Sequence, residues 1–280
     1  MNRTFSAWSL LVVFFASLVI VAAASADEGQ LDKAQPKGIT PDEIIQRFAA
    51  KEKEFKEAYD QYGYRESAKM QTLDGETADG EFQEVFDVSF DDQGRRVKNV
   101  VFAPLPTLQR LTMTREDFDD LENGFPMVLT SDDINQYSVI YVGQQQEDEL
   151  HCYVFDIAPK QIDPKKRYFQ GRIWVDDHDY QIVKTYGKMV PETHANKKGK
   201  GQENLFPNFT TWREQIDGKY WFPTYTRAED TLHFSFGGDV KIREIVKYTN
   251  YRRFGSNVKI TYDGKEVEKQ ANPKDQPQKP

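Results

Sequence analysis

The stretch from Tyr168 to Gly187, YFQGRIWVDDHDYQIVKTYG, decides the fold because it places a polar reversal between two apolar runs. Apolar and aromatic residues lead into Asp176 and out of Tyr180, in the alternation that is typical of half-buried strands. Aspartate tolerates the backbone angles that tight turns require. The stretch therefore predicts two antiparallel strands joined by a hairpin turn at residues 176–179.

The sequence Asp-Asp-His-Asp at residues 176–179 also has the composition of a metal site or an acid/base site. The ligands of a metal must converge on one point. Four adjacent residues on a tight turn point their side chains in different directions, so the turn is the preferred interpretation. We expect no metal at His178 or its neighbours.

The same order of strand, turn and strand extends outward over most of the chain. In EFQEVFDVSF, the side chains of Phe82, Phe86 and Phe90 fall on one face of a strand, and RRVKNVVF follows after the turn DDQG. Further hairpins are predicted for NQYSVIYVGQQ with ELHCYVFDI, for FTTWREQI with KYWFPTYTRAE, and for TLHFSF with VKIREIVKYTNYRRF. The pattern predicts roughly ten strands, nearly all joined by short turns.

One amphipathic helix is predicted before the strands. Thr40 is a good N-cap, Pro41 suits the first helical position, and an apolar stripe runs on one side to about Gln61. A second, short helix is predicted at about residues 114–123. The predicted fold class is α+β, a curved antiparallel sheet that forms a half-open β-barrel, with both helices covering its concave face.

The ends of the chain differ in composition from this domain. Residues 1–26 have the charged start, apolar run and Ala-Ser-Ala site of a cleavable signal peptide, which predicts a periplasmic or secreted protein. Residues 27–39 are polar and are predicted to form a flexible leader. The domain is expected to span residues 40–262, and the charged, proline-rich residues 263–280 are expected to be a disordered tail.

Composition excludes several classes of function. The formal net charge of −8 gives no electrostatic footprint for nucleic acid. No nucleophile elbow, zinc-protease motif, phosphate loop or Cys-x-x-Cys motif occurs, and the single cysteine, Cys152, has no internal partner for a disulfide. We therefore predict no catalytic residue, no metal and no cofactor. The 19 Phe and 14 Tyr point to the burial or binding of apolar matter.

The signal peptide, the amphipathic helix, the antiparallel meander and the hairpin GRIWVDDHDYQIVK together resemble the LolA-like family of periplasmic outer-membrane lipoprotein-sorting proteins. The resemblance spans most of residues 40–260. It implies a half-open barrel with helices as its lid and acyl chains on its concave apolar face. Carriers of this family have a basic residue followed by proline on an early strand, and RRVKNVVFAP lacks that pair, so the resemblance favours the fold over transport.

The sequence thus predicts an exported protein that binds an acyl chain or a lipidated protein in an apolar concavity. Lys197, Lys198 and Lys200 are candidates for transient contact with a membrane surface. The alternatives are an envelope structural or signalling protein with a filled core of the same fold and, with less support, a hydrolase. The expected lining residues are Phe82, Phe86, Phe90, Tyr153, Phe155 and Ile173, and the expected lid residues are Ile44, Phe48 and Phe55.

Overall fold

The computed structural model describes residues 29–91, 93, 95–111, 129–164, 166–191, 206–234 and 238–254, and the backbone of 261–262 and 265–266. The predicted signal peptide, the predicted short helix at 114–123 and the three lysines at 197, 198 and 200 lie outside the described residues. Among the described residues, no helix is both long enough and apolar enough to cross a membrane.

Helix α1 spans Pro41–Tyr59 and begins as predicted. The Thr40 hydroxyl accepts a hydrogen bond from the backbone N–H of Glu43, while the Glu43 carboxylate accepts one from the backbone N–H of Thr40. This reciprocal pair satisfies two backbone donors that a helix start otherwise leaves free. The helix ends two residues before the predicted Gln61, and Asp60 caps it.

Ten strands form one open antiparallel sheet, as the alternation predicts. Their order in the sheet is β3-β2-β1-β10-β9-β8-β7-β6-β5-β4, so β3 and β4 are its two edges. The open sheet with one helix on one face agrees with the predicted α+β class. The strands are β1 (Tyr62–Asp74), β2 (Thr77–Phe90), β3 (Arg96–Phe102), β4 (Tyr137–Glu147), β5 (Leu150–Pro159), β6 (Tyr168–Asp176), β7 (Ile182–Val190), β8 (Phe209–Ile216), β9 (Tyr220–Phe234) and β10 (Gly238–Arg253).

Three short elements lie outside this sheet order. A 3₁₀ helix, Ile134–Gln136, precedes β4. Strands β11 (Thr261–Tyr262) and β12 (Lys265–Glu266) pair with each other, so residues 265–266 of the predicted tail pair with the last two residues of the predicted domain.

The hairpin at residues 176–179 is confirmed. Asp176 ends β6, and its carboxylate accepts hydrogen bonds from the backbone N–H groups of His178 and Asp179, at 3.2 and 2.9 Å. The Asp179 carboxylate accepts a hydrogen bond from the Trp221 indole N–H at 2.7 Å. Tyr180 then adopts a positive φ of 59° before β7 begins. The carboxylates of Asp176 and Asp179 therefore bind backbone and indole donors of the protein itself.

Residues 29–32, which are part of the segment predicted to be a flexible leader, lie along the outer edge of β4. The backbone N–H of Asp32 donates to the carbonyl of Gln144, and the N–H of Gln144 donates back to Asp32, at 2.8 and 2.7 Å. The N–H of Gly29 donates to the carbonyl of Gln146 at 2.9 Å, and the side chain of Leu31 packs on the outer side of the sheet. Polar composition predicted mobility here, but the unpaired backbone of an edge strand offers these residues partners.

Candidate functional site

The sheet side that faces α1, called the inner face here, carries the residues that the sequence predicts as a binding surface. Strand register places small and polar side chains in the middle of this face, and the threonines among them are buried. One row crosses the sheet from β2 to β4 and consists of Glu84, Ala68, Val246, Thr226, Thr211, Thr185, Ile173, Phe155 and Tyr141.

The first half of α1 packs on strands β5 to β9 through a group called the first cluster. Phe48 contacts Phe155 with a ring separation of 5.6 Å. The glycines at 171 and 187 leave space for the Phe169 ring, because a Cβ on Gly187 would lie 2.8 Å from that ring. The first cluster consists of Ile44, Phe48, Ala49, Leu129, Tyr153, Phe155, Ile157, Phe169, Ile173, Val175, Ile182, Phe209 and Ala228.

The second half of α1 packs on β1, β2, β9 and β10 through a group called the second cluster. Phe222 is its centre, with ring separations of 5.6 Å to Phe55, 5.3 Å to Tyr59 and 4.9 Å to Tyr62. Burial raises the pKa values of Tyr59 and Tyr248 well above the ordinary value. The second cluster consists of Phe55, Ala58, Tyr59, Tyr62, Tyr64, Ala68, Phe86, Val88, Phe222, Val246 and Tyr248.

A buried ion pair joins the middle of α1 to the sheet between the two clusters. The Arg213 guanidinium on β8 donates to both oxygens of the Glu52 carboxylate, at 2.6 and 3.2 Å, and lies over the Phe55 ring at 4.4 Å. Both side chains are buried. Removal of either partner would leave the other charge buried without its main partner, which is strongly destabilising.

Most of the predicted lining and lid residues are core residues in this structure. Tyr153, Phe155 and Ile173 meet Ile44 and Phe48 in the first cluster. Phe86 meets Phe55 in the second cluster. These two groups therefore lie under opposite halves of α1, rather than around one shared lumen.

The two remaining lining candidates, Phe82 and Phe90, differ from each other. Phe82 is buried on the inner face. Phe90 is partly exposed and packs on Phe254 at a ring separation of 4.9 Å. Phe90 therefore lies at the margin of the sheet and away from the cover that α1 provides.

A groove opens between α1 and the edge strand β4, called the α1–β4 groove here. Its volume is about 660 Å³, within the range of roughly 300–1,000 Å³ for small-ligand sites. Ile45, Ile134, Tyr137 and Val139 line it and pack against the first cluster, so the groove continues into the core. Its polar rim consists of Asp42, Gln46, Ser131, Asn135, Ser138 and Lys160.

These groove residues were not among the lining residues predicted from the sequence. The alternation in NQYSVIYVGQQ places Tyr137 and Val139 on one face of a strand, so their shared face can be predicted from the sequence. No local pattern shows that Ile45 lies next to them, because the contact joins α1 to β4 across about ninety residues of chain.

A larger groove, of about 850 Å³, lies on the outer face of the sheet. Its lining includes Ile140, Trp174 and Tyr186, together with the ion pair between Arg172 and Asp156 at 2.8 Å. Charged residues border both grooves, since Asp42 and Lys160 lie at the α1–β4 groove. The α1–β4 groove is the preferred candidate because its apolar lining residues Ile45, Ile134, Tyr137 and Val139 pack against the first cluster.

Glu244 and Cys152 are buried ionisable residues that lie outside both grooves. Burial raises the pKa of the Glu244 carboxyl on the inner face to about 7, and its Oε1 atom has no hydrogen-bond partner in the described part of the chain. Burial also raises the pKa of the Cys152 thiol, which disfavours the reactive thiolate. Among the described residues, no group of three or more His, Cys, Asp and Glu side chains has a metal-binding arrangement.

Comparison with known proteins gives matches only among solved structures. No protein-family model matches the chain, and no curated protein matches it either. A DUF1329 family protein from Desulfovibrio piger aligns over 71% of this chain and 88% of its own, with 14% identity and a TM-score of 0.34. A LolA superfamily protein from Nitrosomonas europaea aligns over 75% of this chain and 95% of its own, with 14% identity and a TM-score of 0.31.

A third solved structure, MucB in complex with MucA(peri), aligns over 73% of this chain and 97% of its own. The identity is 8% and the TM-score is 0.21. The LolA-like family that the sequence resembles is therefore represented among the solved structures that align with this chain.

Proposed function

We propose that this protein binds an acyl chain, free or attached to a polypeptide, in the α1–β4 groove. The observation that carries the proposal is the continuity of an open apolar groove with the first cluster, through Ile45, Ile134 and Val139. Lining by aliphatic and aromatic side chains with a polar rim suits a ligand that has an apolar tail and a polar head.

The energetics of such binding require no catalytic group. Each methylene group removed from water contributes about 0.8 kcal/mol, so ten buried carbons give a gross gain of about 8 kcal/mol before ordering costs are subtracted. Ile45, Ile134 and Val139 would contact the chain, and these residues pack against the first cluster, to which Tyr153, Phe155 and Ile173 belong. Phe82, Phe86 and Phe90 have no part in this site.

The compartment proposed for this function is the periplasm or the exterior of the cell. The proposal is supported by the apolar run and the Ala24-Ser25-Ala26 site at the start of the sequence. In this compartment, we propose an acyl-bearing lipid or lipoprotein as the ligand. N-terminal sequencing of exported protein should give a chain that begins close to Asp27.

A second candidate function is that of an envelope structural or signalling protein that binds a partner protein and has a filled core. Burial of Phe86, Phe155 and Ile173 favours it, because side chains that pack on α1 leave no room between helix and sheet unless α1 moves. The two candidates differ in whether an apolar ligand binds saturably.

The experiment is a titration of the protein with a fluorescent fatty acid, together with mass spectrometry of lipids extracted from purified protein. Val139→Asp places a charge in the α1–β4 groove and should weaken binding at least roughly tenfold. Ile140→Asp is the matched control, because Ile140 is the next residue on the same strand, is 59% exposed and lines the outer groove instead.

Three results are informative. Loss of binding in Val139→Asp with retention in Ile140→Asp supports the groove. The reverse result would move the ligand to the outer face. If the wild-type protein shows no saturable uptake and no lipid co-purifies, the acyl-binding proposal fails and the partner-binding candidate replaces it.

A further inference from the structure

The two edge strands of the sheet, β4 and β3, differ in whether other described residues pair with them. The edge strand β4 is covered by residues 29–32, which hydrogen-bond to the backbone of Gln144 and Gln146. At the other edge, β3 pairs with β2 on one side, and no strand of the described chain pairs with its other side. Unpaired edge backbone is a template for another extended chain.

Half of the exposed large apolar side chains of the described residues lie at or next to this second edge. Val100 is 62% exposed, and Val101 and Phe102 are each 50% exposed. Together with Leu105, they make up four of the eight large apolar side chains that are exposed in the described part of the chain. Contiguous exposed apolar residues of this kind mark interaction sites more often than scattered ones do.

Charged side chains often protect an edge strand from pairing with another chain. The two cationic side chains of β3 do not cover its free backbone edge. The Lys98 ammonium lies over the Phe86 ring at 4.6 Å, on the inner face. Arg96 donates to the backbone carbonyl of Tyr59 at 2.8 Å and lies 3.7 Å from Asp60. Both side chains turn back onto the protein, so they leave the backbone of β3 accessible.

The residues that follow β3 limit the length of strand that another chain could pair with. After β3, the backbone N–H of Thr107 donates to Glu81 on β2 at 2.8 Å, so the chain continues beside β2. Pro104 and Pro106 lie in between and have no N–H to donate, which restricts strand pairing to residues 96–103. Over these eight positions the sequence, RVKNVVFA, contains two cations and no carboxylate.

We infer that residues 96–103 form a docking site for an extended acidic segment of a partner polypeptide, which adds to β3 as a further strand. The backbone edge requires hydrogen-bonding partners, which a polypeptide has and a lipid tail lacks. Apolar side chains of the segment would cover Val100, Val101 and Phe102. Carboxylates at its other end would lie beside Lys98, which is exposed, whereas a second copy of this chain would bring two more cations to the same strip.

The probe for the test is a fluorescein-labelled peptide of about eight residues, with alternating valine and threonine followed by a glutamate-rich end, long enough to span residues 96–103. Its binding to the full mature chain is measured by fluorescence anisotropy, and hydrogen exchange locates it. We expect saturable binding and slower amide exchange within 96–103, with no change in β4.

Two variants and one control test the location. Val101→Lys should abolish binding, and Lys98→Glu should weaken it roughly tenfold and favour a peptide that has lysine in place of glutamate. Ile162→Lys changes an exposed apolar residue away from this edge and should leave binding unchanged. Circular dichroism verifies the fold of each variant. If Val101→Lys does not fold, Lys98→Glu still tests the location of the binding site.

Several outcomes would overturn the inference. These are the absence of saturable binding to the wild-type chain, unchanged binding in both variants, and protection at β4 in place of β3. Sedimentation that shows a dimer of this chain, lost in Val101→Lys, would assign the edge to a second copy. Binding of anionic lipid vesicles that is lost in Val101→Lys, without peptide binding, would assign it to a membrane.

Discussion

The two halves of α1 pack on the inner face in different ways. The first half lies on aliphatic and aromatic side chains beside an open groove at β4, and its residue Ile45 is only partly buried. The second half lies on a dense group of aromatic rings around Phe222. One half of α1 is therefore enclosed by the core, and the other half borders an open groove.

The ion pair between Glu52 and Arg213 divides the two halves, so its removal should have the largest effect. Arg213→Met leaves the Glu52 carboxylate buried without its main partner and should lower the free energy of unfolding by about 4 kcal/mol. The double variant Glu52→Leu with Arg213→Met should regain most of this loss. Urea denaturation measures both.

The exposed pair between Lys51 and Glu54 serves as a control for this prediction. Lys51→Ala should change the free energy of unfolding by less than about 0.5 kcal/mol. If the double variant is no more stable than Arg213→Met, the charge left on Glu52 is not the cause of the loss.

The anchoring half is tested by Phe55→Ala, which should cost about 3 kcal/mol because it leaves a cavity beside Tyr59 and Phe222. Ile45→Ala, in the other half, should cost about 1 kcal/mol. Thermal denaturation measures stability, and fatty-acid titration measures binding. We expect Ile45→Ala to weaken binding and folded Phe55→Ala to retain it. The opposite result would reverse the assignment of the two halves.

The pH dependence of stability at Glu244 shows whether water reaches the inner face of the sheet. Burial raises its pKa from the ordinary value of 4.5 to about 7. The folded state therefore binds more protons than the unfolded state between these values, so the free energy of unfolding falls as pH rises through this window. Glu244→Gln removes the effect and should be more stable than wild type by up to about 3 kcal/mol at pH 8, with no difference at pH 4.

Urea denaturation of wild type and Glu244→Gln at the two pH values makes this measurement. An equal difference at both pH values would show that Glu244 is hydrated in the folded state. In that case, the inner face holds water, and the filled-core interpretation weakens.

The smallest effect is expected at the hairpin turn, away from both halves of α1. The carboxylate of Asp176 accepts from the backbone N–H of His178, and alanine retains that N–H. His178→Ala should therefore change the free energy of unfolding by less than about 0.5 kcal/mol. A stoichiometric metal in the wild-type protein that is absent from His178→Ala would contradict the interpretation as a turn.

Local patterns predicted the elements well, because each depends on residues that are close in sequence. Thr40 and Pro41 mark the start of α1, and Asp176 to Asp179 mark a reversal, through the backbone preferences of these residue types. The leader was assigned as flexible on composition alone. Its hydrogen bonds to Gln144 depend on a strand edge more than a hundred residues away in sequence.

The candidate site was only partly predictable, because alternation shows which face is apolar and does not show what covers it. Phe86 and Phe155 were correctly placed on one face, but only the tertiary structure shows that α1 seals both of them. The same holds for the pair of Glu52 with Arg213, and for Ile45 next to Val139 in the α1–β4 groove.

The amino-acid sequence by itself determined the class of elements, their order and the face that each strand buries, since these depend on the period of side chains along a local backbone. The tertiary structure alone decided which apolar side chains became core, which border a groove, and which edge of the sheet has no further strand from the described residues. Those outcomes depend on how α1 lies across the sheet and on where residues 29–32 pair with β4, and both are set by contacts between residues far apart in the chain.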